Sequence, residues 1–230
     1  MKTAPGLAAL LLWSCSGAAL AQVSVVASTV SDYRLRGVSL SDGNPAAQLS
    51  VAYDHPQGWY AGLFASSATL RTAGDTAQLM GYAGYARLLA PGLSWEAGVS
   101  KSAFRNAALY DYVETFVGLA GENLSGRLSY APDYFGRGSH TVYGEANGNL
   151  ALAEHLRLTG HLGLQHARPP QWAVLATPAW RFDVRVGFAF DVAAWKLQLA
   201  WTATQKKHPL YLYDEGGAQR TVIVGAAYEF

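Results

Sequence analysis

Between residues 156 and 230, four successive segments place an apolar side chain at every second position, with Gly160 the one gap. Leu156, Leu158, Leu162 and Leu164 alternate with Arg157, Thr159, His161 and Gln165. Phe182, Val184, Val186, Phe188 and Phe190 alternate with Asp183, Arg185, Gly187, Ala189 and Asp191. Trp195, Leu197, Leu199, Trp201 and Ala203 alternate with Lys196, Gln198, Ala200, Thr202 and Thr204, and Val222, Val224, Ala226, Tyr228 and Phe230 with Thr221, Gly225 and Glu229. Successive side chains of a strand point to opposite faces, so each segment is a β-strand with one apolar and one polar face. Only 14% of the residues are charged, against roughly 25% in a soluble domain. Mean hydropathy is nevertheless only +0.06, far from that of a helical membrane protein. A sheet greased on one face and wetted on the other satisfies both numbers.

The alternation extends back, less cleanly, over 22–37, 45–55, 58–70, 75–89, 93–104, 110–121, 124–135 and 139–153; 58–70 and 75–89 are rich in Gly, Ala and Tyr and show no clear face. These segments predict an all-β, transmembrane, antiparallel up-and-down β-barrel of about twelve strands, with ten as the smaller even count. Short links at 54–58, 90–92, 121–123, 153–155 and 192–194 alternate with longer ones at 38–44, 71–74, 104–109, 132–140, 167–181 and 205–218. Short periplasmic turns and long outer loops alternate in this way in bacterial outer-membrane barrels. Tyr53, Trp59, Trp95, Trp195 and Phe230 fall at one set of strand ends; Tyr33, Tyr110, Tyr130, Trp172, Trp180 and Phe182 fall at the other. Aromatic girdles at the two membrane interfaces have this distribution. A soluble lipocalin-like barrel, with its apolar face turned inward, is the alternative at the level of fold.

Residues 1–21 read as a signal peptide for the Sec pathway: Lys2, an apolar stretch over 4–13, then Ala19-Leu20-Ala21 before Gln22. The stretch is shorter than the roughly 20 residues that span a bilayer. An uncleaved anchor and a lipoprotein box at Leu12-Trp13-Ser14-Cys15 are the competing readings. Cleavage leaves 22–230 as the barrel, removes Cys15, the only cysteine, and balances 16 basic against 16 acidic residues. That balance gives no footing for nucleic acid.

Two stretches resemble known families. Tyr228-Glu229-Phe230, with apolar residues at alternate positions behind it, resembles the terminal signature by which the barrel assembly machinery recognises its clients. SDYRLRGVS at 31–39, followed by Asp42-Gly43-Asn44-Pro45-Ala46 and Gln48, resembles the opening motif of the TorF-type porin family. Tyr53-Asp54-His55-Pro56-Gln57-Gly58-Trp59-Tyr60-Ala61-Gly62, Tyr130–Phe135, Tyr143–Asn147 and Gly160–Gly163 continue the likeness over most of the chain. Leu35, Gln78 and Met80 depart from the family pattern. The resemblance implies a porin-like protein of the bacterial outer membrane.

On the alternation, Asp32, Arg34, Arg36, Glu96, Glu114, Arg127, Glu145, Arg157, His161, Asp183, Arg185 and Lys196 point into the barrel. They are candidate pore-lining residues; a salt-bridged filling of the lumen is the structural alternative. Arg34 and Arg36, two apart on one strand face beside Asp32, are the foremost candidates for a functional cluster. Twelve strands about 4.8 Å apart, tilted by about 40°, enclose a backbone diameter of roughly 24 Å. That width suits small solutes or ions. No G-x-S-x-G elbow occurs, and Ser139 and His140 are adjacent and so fall on opposite faces. The histidines have no metal-ligand spacing such as H-E-x-x-H. The sequence therefore predicts a non-enzymatic channel without cofactor or metal, in contact with outer-membrane lipid and lipopolysaccharide. A barrel enzyme acting on lipid and a closed structural or assembly barrel are the alternatives.

Overall fold

The computed structural model describes residues 22–70, 73–136, 138–168, 179–205 and 220–230. In chain order the strands are β1 (Gln22–Val30), β2 (Arg34–Leu35), β3 (Val38–Ser39), β4 (Ala46–Asp54), β5 (Trp59–Leu70), β6 (Gly74–Ala90) and β7 (Leu93–Phe104). There follow β8 (Tyr112–Ala120), β9 (Leu124–Ala131), β10 (His140–Ala153), β11 (Leu156–Arg168), β12 (Ala179–Val192), β13 (Trp195–Thr204) and β14 (Arg220–Glu229). Among the described residues, every strand except β2 and β3 belongs to one closed antiparallel barrel of twelve strands, and β1 pairs with β14 to complete it. Closure gives every strand a partner on both sides, the condition for a sheet to sit in hydrocarbon.

The closing ladder runs from Val26 opposite Glu229 to Val30 opposite Gly225 and is the shortest in the ring. It is extended at one end by Phe230, whose N–H donates to the Val25 carbonyl at 3.0 Å.

The strands turn their apolar face outward. Phe182, Val186, Phe188 and Phe190 on β12, and Trp195, Leu197, Leu199 and Trp201 on β13, are all exposed. Their alternate neighbours Asp183, Ala200, Thr202 and Thr204 are buried. The ambiguous β5 and β6 have a packing explanation. A Cβ on Gly62 would lie 2.3 Å from the Tyr82 hydroxyl, and one on Gly84 would lie 2.5 Å from that of Tyr60. Each inward tyrosine occupies the space above a glycine of the neighbouring strand, and this large-and-small pairing erases the simple apolar period.

Chain segments at 22 and 230 lie at one end of the barrel with the short turns; we call it the near end. The links β1–β4, β7–β8 and β9–β10 lie at the far end. Tyr53, Trp59, Trp195 and Phe230 are exposed at the near end, and Tyr130, Trp180 and Phe182 towards the far end. Tyr33 and Tyr110 belong to neither girdle: Tyr110 is buried and Tyr33 packs inward beside it. Trp172, the segment 169–178, the signal peptide and the basic residues Lys206, Lys207 and His208 lie outside the described residues.

One expected strand stops short. The first segment does not run to residue 37; β1 ends at Val30, and the whole of 31–45 links it to β4. Arg34 and Arg36 are therefore not neighbours on a wall strand. They belong to a small hairpin that leaves the wall.

Candidate functional site

The hairpin pairs Arg34 with Ser39 and Leu35 with Val38. Its tip residues, Arg36 and Gly37, have φ of 50° and 78°. Two successive positive φ values are the mark of a type I′ turn, which matches the twist of the strands it joins. Gly37 is required twice over. Its φ disfavours an L side chain, and a Cβ there would lie 2.7 Å from Cβ of Thr204 and 2.8 Å from Cβ of Asp183. The hairpin thus leaves the wall between β1 and β4 and touches β12 and β13 with its tip.

Asp32 organises its base. The carboxylate accepts from Arg34 Nε at 2.6 Å, Ser39 Oγ at 2.5 Å and Ser41 Oγ at 3.3 Å. Arg34 Nη1 also donates to the Gly37 carbonyl at 2.8 Å, bracing the tip from below. Leu40 N–H donates to the Tyr33 carbonyl at 2.7 Å, and Thr69 N–H to the Leu40 carbonyl at 2.8 Å, fastening the base to β5. The Tyr33 hydroxyl donates to Gln78 Oε1 of β6 at 2.7 Å. Burial pushes that hydroxyl well above its ordinary pKa, so it stays a neutral donor.

The tip makes the one long-range ion pair of the hairpin among the described residues. Arg36 Nη2 donates to both carboxylate oxygens of Glu114 on β8, at 2.7 and 3.0 Å. The guanidinium carbon lies 4.2 Å from the ring centre of Tyr143 and 4.9 Å from that of Tyr134. Burial opposes the Arg36 charge, but Glu114 and the surrounding tyrosine oxygens outweigh it and hold the guanidinium firmly protonated. The Arg36 carbonyl accepts from Arg181 Nη2 of β12 at 3.2 Å. Arg36 Nη1, Gln165 Nε2 and Thr141 Oγ1 are buried without a hydrogen-bond partner.

An apolar cluster seals the space beside this polar tip. Leu40 packs with Leu70, Phe104, Ala107, Tyr110, Tyr112, Ala131, Tyr134 and Phe135, and Tyr33 and Leu35 lie against it. The far ends of β7, β8 and β9 and the links beyond them supply most of these residues. The far mouth of the barrel therefore contains a small protein-like core, with the hairpin as its centre.

Below the hairpin, charges pair along the wall. Glu96 of β7 accepts from Arg127 of β9, whose Nε approaches to 2.9 Å, and from the Tyr60 hydroxyl at 2.8 Å. Arg157 forks onto Asp191 at 2.7 to 3.1 Å, and Lys196 Nζ reaches Glu229 at 2.6 Å. His161 lies between Asn147 Oδ1, 2.7 Å from Nδ1, and Asp183 Oδ1, 2.9 Å from Nε2. The Tyr143 hydroxyl joins that group at 3.1 Å from His161 Nε2 and donates to Asp183 Oδ2 at 3.1 Å.

A family model described as a bacterial protein of unknown function, Gcw_chp, matches residues 15–227. The chain belongs to this family. No curated protein matches it. Among solved structures, the Gcw_chp barrel is similar to the KdgM porin at 14% identity, over 90% of this chain and 99% of that one, with a TM-score of 0.56. It is similar to the NanC porin at 10% identity over the same shares, with a TM-score of 0.58. A structure described as the KdgM porin in complex with disordered oligogalacturonate, 15% identical over 90% and 99% of the two chains, gives 0.55. The likeness is one of fold: the Gcw_chp chain builds a barrel of the outer-membrane porin type.

The sequence-derived candidates separate into three groups in this Gcw_chp barrel. Asp32, Arg34 and Arg36 stand in the hairpin, with Glu114 as the wall partner of Arg36. Glu96, Arg127, Arg157, His161, Asp183 and Lys196 form the lateral pairs on the wall. Glu145 is registered opposite Arg127, whose side chain turns to Glu96 instead, and Arg185 is registered between His161 and Thr202 with a buried, unpartnered Nε. Sequence reasoning missed the cage around Arg36: Tyr134 and Tyr143 lie in stretches that carry the family resemblance, but Tyr134 sits in a link, and Tyr143, on the same strand face as Glu145, is uncharged and was not counted among the inward candidates. Ser139 and His140 do not form a nucleophile–base pair. Ser139 Oγ donates to the Arg168 carbonyl at 3.1 Å, while exposed His140 lies 3.0 Å from the Tyr130 hydroxyl. Among the described residues, no three His, Cys, Asp or Glu are grouped to hold a metal ion.

Proposed function

We propose that the chain is a narrow outer-membrane channel for ions or small solutes, with the 31–45 hairpin as a constriction at its outer mouth. The observation that carries this reading is the inside-out pattern of a closed twelve-strand barrel, apolar outside and polar inside. Soluble barrels show the reverse. In this reading residues 1–21 are a cleaved Sec signal and 22–230 insert with the near end in the periplasm. Tyr228 and Phe230 serve the barrel assembly machinery, and the outer wall meets lipid and lipopolysaccharide. The narrower assignment to the TorF-type porins belongs to the same proposal, as do the pore-lining roles of the wall charges. Catalysis plays no part in it.

One observation favours a second reading, a closed structural barrel: the hairpin and its apolar cluster fill the mouth. Conductance decides between them. Refolded 22–230 is placed in planar bilayers beside a variant in which 34–39 are replaced by Asn-Gly, a join permitted by the existing Leu40 N–H to Tyr33 carbonyl bond. Discrete steps in the parent, enlarged in the variant, support the channel. A folded, heat-modifiable variant that carries no current refutes it.

A further inference from the structure

The surroundings of Arg36 have the composition of a ligand site. A carboxylate, Glu114, faces the guanidinium from one side, and the rings of Tyr134 and Tyr143 cover it from others. Tyr112 closes the group, its ring centre 4.8 Å from that of Tyr134. Aromatic faces attract a desolvated cation through their quadrupole, and a carboxylate at the same point selects for positive charge. Such a cage recognises guanidinium or alkylammonium groups in general, not one particular arginine.

Arg36 fills the cage imperfectly. A guanidinium and a carboxylate match best as two parallel N–H···O bonds from two nitrogens. Here one nitrogen, Nη2, serves both oxygens, and buried Nη1 is left without a partner. Arg36 lies at the turn of a two-residue ladder with φ of 50°, so its backbone is fixed by the hairpin. A free guanidinium is under no such restraint.

We infer that Glu114, Tyr134 and Tyr143 form a binding cage for a solute bearing a guanidinium or alkylammonium group, in which Arg36 is a tethered competitor. The inference rests on the reading that the lumen admits small solutes, and it names the class of solute received at the outer mouth. An entering cation displaces Arg36 from Glu114 and so releases the hairpin tip.

The test is isothermal titration calorimetry of refolded 22–230 in detergent micelles, with methylguanidinium as probe and acetate as the anionic control. Arg36→Ala vacates the cage and is expected to bind methylguanidinium at least tenfold more tightly than the parent. Adding Glu114→Gln to Arg36→Ala is expected to remove at least tenfold of that affinity. Acetate is expected to bind neither. Should Arg36→Ala misfold, the variant with 34–39 replaced by Asn-Gly keeps Glu114, Tyr134 and Tyr143 and is titrated instead. Vacated cages that bind methylguanidinium no better than the parent, or no better than acetate, overturn the inference. Because micelle binding needs no current, a silent bilayer counts against the channel and not against the cage.

Discussion

Replacing Glu114 by Gln removes the charge that holds the hairpin tip and changes almost nothing else in volume. Arg36 and Glu114 side chains are each 4% exposed, so solvent screens the pair little. Removing one partner of a buried ion pair costs about 3–5 kcal/mol, and the retained amide oxygen places Glu114→Gln at the lower end. About 3 kcal/mol, at about 1.4 kcal/mol per tenfold, raises the undocking equilibrium of the hairpin roughly 100-fold. The assay exploits a sequence fact: residues 22–230 contain no cysteine. Val38→Cys places a single thiol on the buried side of the hairpin. Its maleimide labelling rate in micelles tracks the undocked fraction as long as closing is faster than reaction. We expect Glu114→Gln to accelerate labelling by about two orders of magnitude while heat-modifiability stays intact. An increase below threefold would show that the ion pair does not hold the hairpin, and the reasoning fails.

Leu40→Ala opens a cavity in the mouth core, where Leu40 is 1% exposed; labelling at Val38→Cys should accelerate, because buried Leu→Ala changes cost about 2–5 kcal/mol. Arg157→Ala removes a partly exposed wall pair and should lower the thermal midpoint in micelles only slightly, since such pairs contribute about 1 kcal/mol or less. A large drop would contradict that assignment. Burial raises the Tyr33 and Tyr134 hydroxyls above the ordinary 10.0. Groups shifted upward contribute constant stability below the unfolded pKa and lose it above, so docking should hold to about pH 10 and weaken beyond. Tyrosinate absorbance in Tyr33→Phe and Tyr134→Phe, compared with the parent, reports whether those two titrate late. Gly37→Ala meets both the turn conformation and the Thr204 wall; it should undock the tip as strongly as Glu114→Gln, read by the same thiol.

Most of the barrel was legible because period two survives wherever one face of the wall is apolar and the other polar. Phe182–Phe190 and Trp195–Ala203 could be assigned to faces by counting, and the short links fell between them. Residues 31–37 misled for a physical reason. Asp32, Arg34 and Arg36 still alternate with Tyr33 and Leu35, because the hairpin is itself a two-sided ribbon with polar contacts on one side and the mouth core on the other. Alternation shows that a segment is a ribbon between unlike surroundings and does not say which surroundings. The chain leaves the wall after Val30 and is turned back at Arg36-Gly37, and Arg-Gly is not one of the dipeptides that announce a type I′ hairpin. The charges could be placed inside the barrel from the pattern, but their partners could not. Arg127 chooses Glu96 over the registered Glu145, and Tyr134 reaches the cage from a link, both outcomes of strand stagger and loop path that no local window contains.

The brief ladder between β1 and β14 has a mechanical meaning. A ring of strands is only as hard to open as its weakest joint, and this joint is the one that brings together the two ends of the folded chain. Thermal or mechanical opening should begin there and leave the other joints zipped, with the hairpin still anchored to β5 and β6 on one side of the gap. Closure of the folding barrel runs the same event backwards: an open curl of strands that becomes a wall when one short zipper catches. A covalent staple across Val26 and Glu229 would then act as a latch, slowing escape from the closed state far more than one placed across any longer ladder.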